Sequence, residues 1–305
     1  MIKKLLPVIL SIILLLSGCS QKVSEVSVIT ASFYPVYLTA INICKNTDIT
    51  VSTLAKPSTG CLHDYQLTSG DIRKLDDSDL FIINGAGMED GFIEEVIHSN
   101  EYIDVLDSSS GTHIIENTDD CTDEHNHEEH DHDHNHAVNS HIWLMPHNVI
   151  HQAENMAEEL SDKYPAYAET FNANLDEYIR KLKVLDDAYE ELKTENNLKA
   201  IILNDGFEYL CTPYGIEVAF TIELDENTTT SAKELASITD SAKNGNYIIM
   251  APKGEHSSFA ASLSRELSIP VFELDPITHG ELENHNYYIE AMEYNYSVLK
   301  EISDL

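Results

Sequence analysis

Short apolar runs alternate with stretches of helical spacing along most of the chain. VSVITASF (Val26 to Phe33) reads as a buried strand, VYLTAINIC as a helix and ITVSTLA as a second strand. SGDIRKLDDSD then reads as a short capped helix, LFIING (Leu80 to Gly85) as a strongly apolar strand, FIEEVIHS as a helix and EYIDVLD as a further strand. The same rhythm returns late in the chain. LKAIILN (Leu198 to Asn204), GIEVAFTI, YIIMAP and IPVFELDP read as strands. SAKELASITDSAKNG, with Ser231 as its cap, SSFAASLSRELS and NHNYYIEAMEYNYSVLKEIS read as the helices between and after them. Strands alternating with helices predict an α/β fold with parallel sheets. Two such series predict two lobes, each a small, mostly parallel sheet with flanking helices, although no sequence repeat is visible.

Between the series lies the longest helical pattern. From Ala166 to about Asn196, Phe171, Leu175, Tyr178, Leu182, Leu185, Tyr189 and Leu192 recur at helical spacing with no Gly or Pro inside. At 1.5 Å per residue such a helix spans roughly 45 Å. It is too short and too aromatic for a coiled-coil seam, so a rigid helix joining the lobes is the better reading. The expected layout is an N-terminal lobe over 28–163, a connecting helix over 164–196 and a C-terminal lobe over 197–305.

The first 27 residues stand apart. MIKK carries two lysines, Leu5 to Leu16 is apolar but too short to span a membrane, and LSGC ends at Cys19. Residues 1–18 read as a signal peptide, and LSGC resembles a bacterial lipobox. The expectation is a diacylated Cys19, palmitate included, a tether over 19–27, and a domain anchored on the outer face of the cell membrane.

Charge narrows the partners. With 18 Lys and Arg against 53 Asp and Glu in 305 residues, the formal charge is −35. Such a surface excludes nucleic acid and broad adhesion to anionic lipid, and it concentrates cations. CTDEHNHEEHDHDHNH (Cys121 to His136) sharpens this, with six histidines and six carboxylates in sixteen residues. Lacking apolar anchors, 119–136 is expected to be a flexible loop. His125, His127, His130, His132, His134 and His136 suit Zn²⁺, Cu²⁺ or Ni²⁺ in weak, exchanging contacts. A tight site needs ligands held by a scaffold.

Three residues have that setting. His63, in GCLHDYQLTSGD, follows a predicted strand; His141 opens SHIWLMP; Asp275 ends the strand of FELDPI. In open α/β sheets ligands bind beyond the carboxyl ends of strands. His147 and His151 share a helix face in HNVIH, but Asn148 stands where a metalloprotease has its Glu base, so they read as surface residues with at most a peripheral metal contact. No GxSxG, P-loop or GxGxxG pattern occurs, and the glycines of INGAGMEDG fit a turn rather than a phosphate loop. Outside the cell a Cys44–Cys61 disulfide is permitted, and Cys121 is a further candidate metal contact.

The stretches ASFYPVY, CLHDYQLTSGDIRKL, DLFIINGAGMEDGFIEEVI, SHIWL, NDGFEYL, SAKELASI and ELDPI, in this order, resemble the metal-binding lipoproteins of bacterial zinc and manganese ABC importers. The resemblance covers nearly all of the mature length. It implies two α/β lobes joined by a rigid helix, a metal clamped between them, a His-rich loop as in zinc-type members, and a permease and ATPase as partners. Carried over by residue, His63 and His141 are first-lobe ligands and Asp275 is the carboxylate of the second lobe. Asn204 stands where the family has His or Glu, and Met145 where Asp is usual. Water, Asp205 or a histidine of the 119–136 tract would then complete the shell, with water or Asn204 itself preferred. Two imidazoles favour Zn²⁺; an oxygen-rich remainder leaves Mn²⁺ open. Protonation of the histidines weakens binding as pH falls through about 6.5.

The expected activity is extracytoplasmic capture of a divalent cation, not catalysis. Two rivals remain at this point. A zinc-dependent hydrolase on His63, His141 and Asp275 would need Glu208 or Asp205 as its base. A surface zinc reservoir or adhesin would lack a permease.

Overall fold

The computed structural model describes residues 26–63, 65–116, 138–192, 197–222, 232–242, 245–254 and 257–305. The leader, Cys19, Ser231 and the 119–136 tract lie outside the described residues.

The first lobe is a four-stranded parallel sheet of β1 (Val28–Ala31), β2 (Thr50–Thr53), β3 (Leu80–Ile83) and β4 (Asp104–Asp107) in the order β2-β1-β3-β4. β1 runs parallel between β2 and β3, with Ile29 opposite both Val51 and Leu80. All four residues of β3 are buried, as expected of a central parallel strand covered on both faces. The crossovers are α1 (Tyr34–Ile43), α2 (Ser69–Asp76) and α3 (Ile93–Ser99). α2 starts where TSGD permits a capping box. The Thr68 hydroxyl accepts from the Gly70 and Asp71 amides, and Asp71 accepts from the Thr68 amide at 2.9 Å. α1 carries no polar face: all ten of its residues are buried.

After β4 the chain forms a small antiparallel hairpin, β5 (Ile115–Glu116) with β6 (Val138–Asn139). The His-rich tract falls between these two strands in the sequence. Two long helices come next, α4 (Pro146–Lys163) and α5 (Ala168–Glu190). The sequence has a new element opening at SHIWLMP, capped by Pro146 and with His147 and His151 on one face, and α4 is that element. α5 is the predicted connecting helix, but at 23 residues it is roughly 35 Å long, shorter than expected. It ends before Leu192, and Asn197 turns into the left-handed region at φ 47°. Each half of α5 is tied to a different lobe. The Asn174 amide donates to the Ile43 and Lys45 carbonyls at the end of α1, and the Tyr189 hydroxyl donates to the Met292 carbonyl at 2.9 Å. No described helix is long and apolar enough to cross a membrane.

The second lobe repeats the first in topology. Its parallel sheet holds β7 (Lys199–Ile202), β8 (Glu217–Thr221), β9 (Tyr247–Pro252) and β10 (Val271–Leu274), ordered β8-β7-β9-β10. Numbered within each lobe, both sheets run 2-1-3-4. The later crossovers are α6 (Ala232–Ala242) and α7 (Ser257–Leu267), and α8 (Tyr287–Ser303) closes the chain. The first crossover differs: where the first lobe has α1, the second has two short 3-10 turns, Asp205–Leu210 and Thr212–Tyr214.

α1 packs on β1 and β2 and also on α4, α5 and α8, so it has no solvent side. Strand alternation divides the rest of the core. Ala200, Ile202, Ile248 and Met250 join one continuous apolar cluster with the first lobe, α4, α5 and α8. Ile201, Leu203, Ile249 and Ala251 point the other way and pack under Ile238, Ala260 and Leu263 of α6 and α7. The lobes therefore share a core. The permitted disulfide is not formed. Cys44 is buried at the end of α1, where burial pushes its thiol up to about 12, while the Cys61 sulfur faces His141.

Candidate metal centre

Both predicted histidines of the first lobe lie beyond the carboxyl ends of its strands. The loop after β2 is tied at its start by Lys74, whose ammonium donates to the Thr53 and Leu54 carbonyls. Leu62 is driven fully into the core, and the Tyr65 amide closes a turn on its carbonyl, which sets His63 at the bend. His141 is placed by its successors. Ile142, Trp143 and Leu144 form a buried 3-10 turn, so the imidazole is drawn inward with them and is only 1% exposed. The His63 and His141 rings lie 5.3 Å apart between centroids.

The loop 84–91, legible in sequence only as a glycine turn, supports both segments. The Asn84 amide donates to the Ser140 carbonyl at 3.0 Å, and Gly91 sits against the His63 carbonyl, 3.4 Å from where a Cβ would stand. The Glu89 carboxylate holds the loop by accepting from the Asn84 and Gly85 amides at 2.9 and 3.1 Å. Burial raises its pKa to about 7 despite those bonds. Gly85, at φ +76°, packs directly on Asp107, with no room for a side chain.

The tautomer of His141 is set by its neighbour. The Asn139 amide nitrogen donates to the Asp205 carbonyl and to Glu208 Oε2, at 3.0 and 3.1 Å, which turns its oxygen toward His141. That oxygen accepts from the His141 backbone amide and, at 3.0 Å, from Nδ1–H. The lone pair is thereby left on Nε2. Burial lowers the His141 pKa, with Asp205 pulling the other way, so the ring is held as the neutral form that a metal requires.

The second lobe meets Nε2 through the 3-10 turn that replaces a crossover helix. Asp205 Oδ1 lies 3.4 Å from it. For Zn–N near 2.0 Å and Zn–O near 2.1 Å, adjacent tetrahedral donors stand about 3.4 Å apart, so this edge already has the length a zinc tetrahedron needs. One ligand atom each from His63, His141 and Asp205 lies within 4.8 Å of the others. Gly206 makes the approach possible: a Cβ there would meet the His141 ring at 2.8 Å. Tyr209 sutures the two sides, donating to the Asn139 carbonyl at 2.8 Å and accepting from the Ile115 amide.

The other expected ligands are placed differently. The Asn204 side-chain oxygen accepts from the Gly206 amide at 3.1 Å and caps the 3-10 turn. Asp275 stands outside the converging group. Its Oδ1 accepts from the Ile277 amide at 2.9 Å and its Oδ2 from the Tyr287 hydroxyl at 3.1 Å. Asn295 brackets its backbone, and the next carbonyl, Pro276, accepts from the Trp143 indole at 2.9 Å. Sequence reading admitted Asp205 only as a group able to swing in; here the turn already holds it in place. It also missed Asn139, for which no local signal existed. His147 and His151 meet edge to face with centroids 5.1 Å apart on α4, paired with Asp186 and Glu154, and are not part of the converging group. Asn148, at the position of a metalloprotease base, is instead a buried clamp on His113 and the Ile142 carbonyl.

Comparison with known proteins meets this geometry. The family described as "ZnuA: Zinc-uptake complex component A periplasmic" matches residues 29–302. The chain belongs to this family. Members of the ZnuA family are binding components of metal uptake rather than enzymes, which removes the hydrolase reading. The zinc-binding lipoprotein AdcA of Streptococcus pneumoniae is 27% identical over 304 residues, covering 95% of this chain and 59% of that protein. The chain thus spans a little over half of that relative. The high-affinity zinc uptake system protein ZnuA of Bacillus subtilis is 28% identical over 294 residues, covering 93% and 89% of the two chains. Among solved structures, the Pseudomonas aeruginosa solute-binding protein FpvC in complex with Mn²⁺ superimposes with a TM-score of 0.75 at 23% identity, covering 91% of this chain and 98% of that one. That likeness establishes the two-lobed ZnuA fold.

Proposed function

We propose that the protein captures a divalent cation, Zn²⁺ by preference, outside the cytoplasm and delivers it to the permease and ATPase of an ABC importer. The observation that carries this is the convergence of His63, His141 and Asp205 within 4.8 Å, with the His141–Asp205 edge at a zinc-like 3.4 Å. The zinc-binding names of the streptococcal and Bacillus relatives support the choice of ion. Mn²⁺ is the natural competitor, since the Pseudomonas neighbour holds it. In this reading Asp205 takes the place that the resemblance gives to Asn204, and Asp275 serves the second-lobe scaffold. His125 to His136, which lie between β5 and β6 in the sequence, raise the local metal concentration, and Asn139 at the end of β6 orients His141. Diacylation at Cys19 holds the domain at the membrane surface, near the permease.

The test is calorimetric titration with Zn²⁺ and Mn²⁺ of the chain from Ser20 onward, beside a deletion of 119–136 and a His141→Ala variant. One tight Zn²⁺ site that survives the deletion and loses on the order of 100-fold in affinity in His141→Ala is the expected result. Tight binding that disappears with the tract, or is indifferent to His141→Ala, would place the working site elsewhere.

A further inference from the structure

The His63, His141 and Asp205 group has a fourth neighbour that neither the family resemblance nor the usual donor set includes. Cys61 lies two residues before His63 in the same loop, and its sulfur is 3.1 Å from His141 Nε2. That nitrogen carries the lone pair, because Nδ1 donates to Asn139, so the thiol lies against the lone pair that a metal must engage.

We infer that Cys61 supplies a thiolate to the bound cation, giving a site of one sulfur, two imidazole nitrogens and one carboxylate oxygen. The inference rests on the metal-centre reading of His63, His141 and Asp205. The sulfur is outside the set already within mutual 4.8 Å, so ligation draws the loop of Cys61 toward His63 and Asp205, while its spacing from His141 changes little. With Zn–N near 2.0 Å and Zn–S near 2.3 Å, tetrahedral neighbours stand about 3.5 Å apart, roughly 0.4 Å beyond the present Cys61–His141 contact. Cys61 is half-buried in a loop, preceded by Gly60 at φ +81°, and so is not locked in a packed element. On loading, the S–H···Nε2 contact is replaced by metal–sulfur and metal–nitrogen bonds; the thiol proton passes to solvent and no oxidation state changes. A thiolate also decides between ions. Sulfur suits Zn²⁺ and softer cations, whereas Mn²⁺ prefers oxygen, so Cys61 makes the site discriminate against Mn²⁺ even though Asp205 is an oxygen donor.

Cobalt(II) reports this directly. It is titrated into the mature chain carrying Cys121→Ser, which removes the thiol of the His-rich tract, with and without Cys61→Ser, and with Cys61→Ala as a second variant. A sulfur-to-cobalt charge-transfer band in the near ultraviolet is expected with Cys61 present. Its loss in both variants is expected while the visible cobalt bands of the remaining ligands persist. Zn²⁺ affinity should fall by at least the ~10-fold that loss of a supporting partner typically costs, with Mn²⁺ affinity unchanged. Visible bands without a sulfur band in the parent, or a sulfur band that survives both substitutions, would overturn ligation by Cys61 and leave the three-residue centre standing. No cobalt bands at all, or bands indifferent to His141→Ala, would instead overturn the metal centre and this inference with it.

Discussion

The two lobes share one strand order, 2-1-3-4, and differ most in the crossover after their first strand. In the first lobe β1 runs into α1, ten residues buried on every side. In the second, β7 runs into the 3-10 turns, which leave Asp205 at the interlobe surface and carry Tyr209 across to the hairpin. A regular helix at that place would bury its first turn as α1 does. The irregular crossover instead points a carboxylate at a histidine of the other lobe, and Gly206 provides the clearance. Equivalent topology thus yields a buried helix on one side and a carboxylate facing His141 on the other, because 3-10 geometry and a missing Cβ change how far the strand end can reach.

The largest expected effect tests that asymmetry. Asp205→Asn, which keeps an oxygen for the Gly206 amide but loses the charge, should weaken Zn²⁺ binding on the order of 100-fold by calorimetry. Asp275→Asn should change it by less than about threefold while lowering the melting temperature, since Ile277 and Tyr287 lose a charged acceptor. The reverse ranking would return the second-lobe ligand to β10 and sink the contrast between the crossovers.

A smaller effect concerns the loop after the third strand of the first lobe. The folded pKa of Glu89 is raised from 4.5 to about 7 by burial. The folded state therefore holds more protons than the unfolded state between these values, and stability falls as pH rises through them. Denaturant unfolding of metal-free protein should show a loss on the order of 2 kcal/mol between pH 5 and 7, much reduced in Glu89→Gln. A slope that Glu89→Gln leaves intact would assign it to other groups. The smallest effect is at the capping box of α2. Thr68→Ala should cost about 1 kcal/mol without altering the metal affinity. A drop in affinity there would mean that the loop bearing His63 depends on α2 for more than its anchorage.

VSVITASF, LFIING and YIIMAP announced strands because a parallel strand covered on both faces must be continuously apolar, and that requirement is local. SGDIRKLDDSD announced α2 as a short capped helix for a similarly local reason, and the structure adds Thr68 as its cap. The positions of His63 and His141 were legible as loop histidines beside buried anchors. α5 was legible in its spacing but not in its length, since helix ends depend on capping and on the packing beyond them. The Cys44–Cys61 pairing failed because sequence spacing carries no direction: one sulfur points into the core beside α1 and the other toward His141, 80 residues away. The resemblance points to water or Asn204 because it matches one position at a time; that the Asn204 side chain caps the 3-10 turn while Asp205 faces His141 is a feature of the fold.

The sequence by itself determined the α/β class, the two series of elements, the acidic and His-rich character, and a pair of imidazoles held near strand ends. These arise from periodicity and chemistry within a window of a few residues. Only the tertiary structure decided that the lobes share one apolar core, that Asn139 is turned to fix the His141 tautomer, and that Asp205 and Cys61 face the same nitrogen. The Asn139–Asp205 and Cys61–His141 contacts span 66 and 80 positions of the chain. Their distances are set by how two sheets and three long helices pack, rather than by any local preference.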